Sequence, residues 1–220
     1  MRRFTTLLFL LISISSFSLG QEIGKLAPER PPEEFPSNSW GVDLMFGEGG
    51  FGIGTFFRKD FSNDITGFVD VSYSESKDDR EFQYIDYFGN TFTVGKLNRV
   101  FLVPLNFGLQ YRLFSSELTS NLRPYLNFGV GPTMVITTPY EKDNEIVEFF
   151  KSFSYAQAKY AAGGYVGFGA NFGSSKSNLI GINLRYYYIH LFGEGVENLK
   201  GRLRTDISHF YLTINLGIMY

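Results

Sequence analysis

The sequence has no cysteine. That excludes disulfides, thiolate metal sites and a lipid-modified N-terminal Cys. It also has no strong excess of either charge, since 20 Lys and Arg face 22 Asp and Glu. A nucleic-acid partner, which needs a clustered basic surface, is not expected. Beyond residue 20 no stretch approaches the roughly eighteen apolar residues of a transmembrane helix. Proline is scarce in the body of the chain, because four of the eight (Pro28, Pro31, Pro32 and Pro36) fall in one short region. What is abundant is Phe (24), Tyr (14) and Gly (24), a mixture that suits short repeated strands with aromatic girdles.

Residues 1–20 read as a secretory signal peptide. Arg2 and Arg3 form a positive start, Leu7 to Phe17 an apolar run too short to span as a helix, and Ser18-Leu19-Gly20 a small-residue cleavage site. The expected mature chain begins at Gln21. Residues 21–39, rich in Pro and Glu, are expected to be an extended linker that buries no apolar area. The domain proper is expected over 40–220.

From Trp40 onward the chain alternates at period two, the signature of strands with one apolar face. In Phe101–Leu113 the odd positions are Phe101, Val103, Leu105, Phe107, Leu109, Tyr111 and Leu113, while the even ones pass through Asn106, Gly108, Gln110 and Arg112. The same split recurs in Leu122–Ile136, Asn178–Leu191 and Phe210–Tyr220, and more weakly in Ile65–Ser74 and Tyr160–Gly173. Strands of about ten residues or more fit a tilted membrane span better than a soluble sandwich. Short polar turns at 60–64, 115–121 and 174–177 alternate with long polar segments near 75–97, 138–157 and 193–206. This is the asymmetry of an outer-membrane barrel, whose short turns face the periplasm. Residues 40–58 are either one bulged strand or a hairpin turning at Gly47-Glu48-Gly49-Gly50. The hairpin gives an even count of eight and is the expected form. A second hairpin, Phe82–Phe88 to Thr91–Val94 around Gly89-Asn90, is expected within the first long segment. The fold class is therefore all-β, an eight-stranded antiparallel transmembrane up-and-down barrel.

The apolar faces are expected to point outward. The opposite faces carry Gly, Asn, Thr, Tyr and scattered Arg, not the Lys/Glu-rich surface of a soluble protein. Aromatics also close both ends of the apolar faces. Trp40, Phe57, Tyr111, Phe172 and Tyr220 fall at one rim, and Tyr73, Phe101, Tyr160, Tyr188 and Phe210 at the other. The signal peptide, the eight alternating segments and the terminal Phe210–Tyr220 strand together resemble the small outer-membrane barrel families: the OmpA transmembrane domain, OmpX, OmpW and generic outer-membrane β-barrel proteins. The resemblance covers about 40–220 and implies residence in the bacterial outer membrane. It also implies contact with outer-membrane lipids, and presentation of the C-terminal strand to the barrel-assembly machinery. It says little of activity, because such families include adhesins, pores, enzymes and anchors. No peptidoglycan-binding domain of the OmpA kind is expected after the last strand.

The inward faces gather a candidate charge network: Asp43 and Asp70 with Arg58, Arg112, Arg123 and Arg185, joined by Asn106, Asn127, Asn183 and Asn215. Buried charges must be paired or hydrated. The favoured reading is a structural plug in a narrow lumen; the alternative is a gated pore with an Arg-lined constriction favouring anions. Two histidines, His190 and His209, flank the last long segment. With Ser208 and Asp206 or Glu194 they could form a nucleophile–base set like that of lipid A-modifying barrel enzymes, but they fall on oppositely facing positions, and no catalytic role is expected of them. The Gly clusters 47–54 and 163–173 lack the strand-to-helix context of a phosphate site. No cofactor or metal is expected. Asp78-Asp79-Arg80-Glu81, Tyr84–Phe88 and Tyr140–Phe153 are candidate contact surface, with a short helix expected over Asp143–Phe153. The leading function is a non-enzymatic structural or surface-interaction barrel; a small-solute pore and a lipid A-modifying enzyme are the alternatives.

Overall fold

Eight segments that are apolar at every second position can satisfy all their backbone groups only by pairing with one another and closing. In the computed structural model they do so. It describes residues 36–220 apart from 86, 90, 116–117, 119–121, 143–144 and 174–176. The expected signal peptide, most of the linker, the Asp143 cap and parts of the turns at 89–90, 115–121 and 174–177 lie outside the described residues.

The barrel strands are β1 (Asn38–Gly47), β2 (Gly50–Asp60), β3 (Ile65–Ser76), β4 (Asn98–Arg112), β5 (Leu122–Pro139), β6 (Gln157–Phe172), β7 (Asn178–Leu191) and β8 (Asp206–Met219). Each pairs antiparallel with its sequence neighbour, and β1 pairs with β8 to close the ring. At the seam the Asn38 amide donates to the Tyr220 carbonyl (3.2 Å) and the Tyr220 amide donates back to Asn38 (2.9 Å).

Residues 40–58 are a hairpin, with Gly47 opposite Gly50 across a Glu48-Gly49 turn. Only Gly50 there takes a positive φ, +123°. Gly49 is required for a different reason: a Cβ at that position would sit 2.7 Å from the Tyr211 hydroxyl and 2.9 Å from the Glu75 carbonyl oxygen. The strands run further than the alternation alone delimits. β1 starts at Asn38 rather than Trp40, β5 continues to Pro139 and β8 begins at Asp206.

The apolar faces point outward. Phe128, Val166, Leu184, Leu212 and Ile218 are all exposed, while their neighbours one residue along face the interior. Trp40, Phe57, Tyr111, Phe172 and Tyr220 are exposed at one rim, and Tyr73, Tyr160, Tyr188 and Phe210 at the other. Phe101 breaks the pattern at 3 % exposure. Its ring is covered by a short helix, Phe149–Ser152, continued by a 3-10 turn, Phe153–Tyr155. That helix is shorter than the one expected over 143–153 and starts after Glu148, which makes no side-chain cap.

Three long connections crown the same end. The first contains the expected hairpin, Gln83–Ile85 with Thr91–Thr93, and the third a hairpin of Val196–Leu199 with Arg202–Arg204. No helix among the described residues is long and apolar enough to cross a membrane, which bears only on helices.

Candidate functional site

The interior is the natural place to look for chemistry, and it is built in layers. Inward-facing residues of β7, read upward, are Leu179, Gly181, Asn183, Arg185, Tyr187, Ile189 and Leu191; those of β8, read the same way, are Met219, Gly217, Asn215, Thr213, Tyr211, His209 and Ile207. At the end away from the long loops Phe56, Leu179 and Met219 make an apolar floor. A polar layer follows, then Met45, Phe68, Tyr165, Tyr187 and Tyr211 as an aromatic layer. At the mouth Val100, Leu102, Val135, Ala161, Ile189, Leu191 and Ile207 close on Val196 of the third-loop hairpin. Each such aliphatic side chain removed from water contributes about 1.5–3 kcal/mol.

The polar layer centres on Arg185, which is 1 % exposed. Its Nη2 donates to Asp43 at 2.9 Å, and Nη1 lies 3.9 Å from Asp70. Its guanidinium also sits 4.9 Å over the Tyr165 ring. Asp70 accepts from Asn106 (2.8 Å) and from the Tyr165 hydroxyl (2.8 Å). Asp43 accepts from Asn215, which in turn accepts from Tyr125 at 3.2 Å. One guanidinium is thus shared by two carboxylates, whose remaining valences are met by amide and phenol donors, the arrangement burial of charge requires.

The other three arginines of the expected network are elsewhere. Arg58 lies 4.1 Å over the Phe56 ring and reaches Asn171 at 3.5 Å. Arg112 donates to the Leu118 carbonyl at 3.0 Å, and Arg123 to the Met219 sulfur at 3.7 Å. These three act electrostatically on Asp60, near the short turns, whereas Arg185 is the arginine acting on Asp70. The asparagines divide likewise. Asn106 and Asn215 join the carboxylates, whereas both amide ends of Asn183 and Oδ1 of Asn127 make no protein hydrogen bond among the described residues. Asn127 and Asn183 instead crowd Gly167, where a Cβ would meet their oxygens at 2.4 and 2.8 Å.

Sequence reasoning missed the closure of the mouth. Asp78 and Glu81, read from the sequence as candidate contact surface, turn inward. Asp78 is 4 % exposed and takes Arg202 and Arg204 as partners, while Glu81 pairs with Lys96 at 2.6 Å. The Leu97 amide donates to Asn198 (2.8 Å), Lys200 to Gly95 (2.8 Å), and the Asn98 side chain to the Glu197 carbonyl (2.7 Å). The third-loop hairpin is therefore stitched across the opening. A signal was present: Val100 to Val103 is apolar at four successive positions, as is typical of a strand covered on both faces.

The two histidines face opposite sides, as the alternation requires. His209 is buried, its Nε2 2.7 Å from the Ser76 hydroxyl. His190 is outside, its Nδ1 2.8 Å from Asp206, which also accepts from Tyr188 at 2.6 Å. Ser208 lies on the same outward face, opposite Tyr188, and no hydrogen bond of the described residues joins it to His190. No group of three or more His, Asp or Glu able to hold a metal occurs among the described residues. An open cleft of about 830 Å³ lies between the second and third long loops, its lining including Lys142, Tyr155, Gln157, Lys159, Glu194 and Glu197.

No family model matches the chain, and no curated protein matches it. Among solved structures, the N-terminal barrel domain of Pseudomonas aeruginosa OprF is 11 % identical over 84 % of this chain and 98 % of its own, with a TM-score of 0.45. Neisserial surface protein A is 11 % identical over 86 % and 100 %, with a TM-score of 0.46. A major outer membrane protein of Thermus thermophilus is 14 % identical over 84 % and 100 %, with a TM-score of 0.45. In architecture, and in that alone, the chain is similar to these small barrels of bacterial outer membranes.

Proposed function

We propose that the protein is a non-conducting, non-enzymatic barrel of the bacterial outer membrane that displays its long loops at the cell surface. Membrane residence is supported by the exposed belt of Phe, Leu, Ile and Val bounded by two aromatic rims. Water would impose a large cost on such a surface, and lipid does not. The non-conducting reading is carried by one observation: Arg185 is clamped between Asp43 and Asp70 mid-lumen, with an apolar floor below and an apolar mouth above. Ions could not pass without breaking that layer. The contact surface would be the loop crown, where Phe82, Ile85, Tyr87 and Phe88 of the first loop are exposed and an open cleft lies between the second and third loops. The outward row Phe210, Leu212, Ile214, Leu216, Ile218 and Tyr220 is the face offered to the assembly machinery.

Planar-bilayer recording of the purified protein tests the closed lumen. No resolved channel steps are expected, and steady anion-selective steps would replace this reading with the pore. Lipid A from expressing cells, compared by mass with lipid A from a strain lacking the protein, should be identical. A changed acyl count would instead make His190 and Asp206 the first residues to substitute.

A further inference from the structure

Phe101 is the one rim aromatic that the barrel does not leave exposed, and what covers it is itself left uncovered. Phe149 and Phe153 pack on its outward face, with centroids 6.1 and 5.4 Å away, while Tyr73 stacks on it at 5.4 Å from the next strand. Phe150, edge-on to Phe149 at 5.4 Å, is 81 % exposed, and Tyr155 is 43 % exposed. Ser152 is fully buried beneath the turn. Phe149 and Phe153 therefore cover the outward face of β4 at Phe101 with Phe150 facing away, while Tyr155 lines the cleft between the second and third long loops.

Register places Phe101 close to the exposed rim residues. Phe101 lies opposite Ile136; one outward step below, Val103 lies opposite Met134, which is opposite the exposed rim residue Tyr160. The segment thus packs on a rim position and is continuous with the exposed rim through Tyr73. Arg99 holds the chain leading into it, donating to the Pro139 and Val147 carbonyls at 3.1 and 3.0 Å, and lies over the Phe149 ring at 5.7 Å. Between Phe149 and Tyr155 the only charge is Lys151, whose long stem lets an ammonium reach the headgroups while apolar neighbours remain below. Amphipathic aromatic segments at this level lie in the membrane interface.

We propose that Phe149–Phe153 is an interfacial anchor lying in the leaflet on the long-loop side, with Phe150 inserted among the lipid chains. The proposal rests on the reading that the apolar belt faces a bilayer. The lipid surface is the occupant because Phe149 and Phe153 stack on the outward-facing Phe101, which is itself stacked on the exposed rim residue Tyr73.

The test replaces the single native tryptophan (Trp40→Phe) and places one tryptophan at a time by Phe150→Trp, Leu184→Trp or Tyr87→Trp. Each full-length protein is folded into phosphatidylcholine vesicles whose chains are brominated either near the headgroup or deep. Leu184, mid-belt, should be quenched most by deep bromine, and Tyr87, 99 % exposed in the first-loop hairpin, by aqueous iodide only. Tryptophan at 150 should emit blue-shifted and lose most of its intensity to shallow bromine. If it behaves like position 87 while position 184 is quenched, the anchor is wrong and the barrel reading stands. If position 184 also escapes bromine, both fall. Since Phe150 is exposed, its substitution leaves the packing on Phe101 in place, and heat-modifiable mobility verifies folding.

Discussion

Arg185 and Asp43 are separated by 142 positions in the chain and by 2.9 Å in space, and both are buried. The contact spans β8, joining β7 to β1, its second neighbour around the ring. Removing the cation, as in Arg185→Met, leaves two carboxylates facing each other without compensation, and breaking such a buried pair costs about 3–5 kcal/mol. Asp43→Asn is expected to cost more than Asp70→Asn. Asp70 stands farther from the guanidinium, at 3.9 Å, and an amide there keeps one oxygen for the Asn106 donor while its NH2 can donate to the Tyr165 phenol oxygen. Urea unfolding in lipid vesicles measures the order; a reversed order would remove Asp43 from the centre of the layer.

Gly167→Ala should destabilise by about 1–3 kcal/mol, as overpacking does, because its methyl would meet the Asn127 and Asn183 oxygens. Adding Asn127→Ala should recover part of that loss, since residues in contact are not additive. A double variant no more stable than Gly167→Ala would mean the crowding comes from the backbone instead.

Arg at Leu184, in the middle of the outward belt, is expected to cost about 2–4 kcal/mol in a bilayer. Arg at Phe88, 86 % exposed in the first-loop hairpin, should stay within about 0.5 kcal/mol. Equal costs at the two positions would contradict the outward assignment.

Asp78→Asn removes the carboxylate that Arg202 and Arg204 share. Trypsin should then cut the third-loop hairpin faster at those arginines while the barrel keeps its heat-modifiable mobility. Unchanged cleavage would show that the backbone bonds at Leu97 and Lys200 suffice to hold the hairpin down.

The barrel was legible because period two is a local property: a residue's face follows from its neighbours two positions away, and Leu184 or Phe128 could be placed without knowing any partner. The hairpin at Gly47–Gly50 was legible for a related reason, since an even count left no other arrangement. The pairing inside was not. Which of four arginines meets Asp43 depends on the stagger of strands across the lumen, and that offset is nowhere written in a single strand. Asp78 and Glu81 were misassigned because a charge run beside a turn looks solvated until an opposing loop is known to reach it. Phe101 failed differently: its place on the outward face was right, and its cover came from a loop whose path the alternation does not encode.

Every seam of the ring but one joins strands adjacent in sequence. The exception, β1 with β8, is held by nine residue pairs and sealed where Asn38 meets Tyr220. Seven hairpin pairings can therefore form progressively, but none of them removes the two raw edges until the last strand arrives. A chain interrupted anywhere before β8 would carry unsatisfied amides and carbonyls along both its first and final strands, and would behave as a sticky open sheet rather than as a smaller barrel.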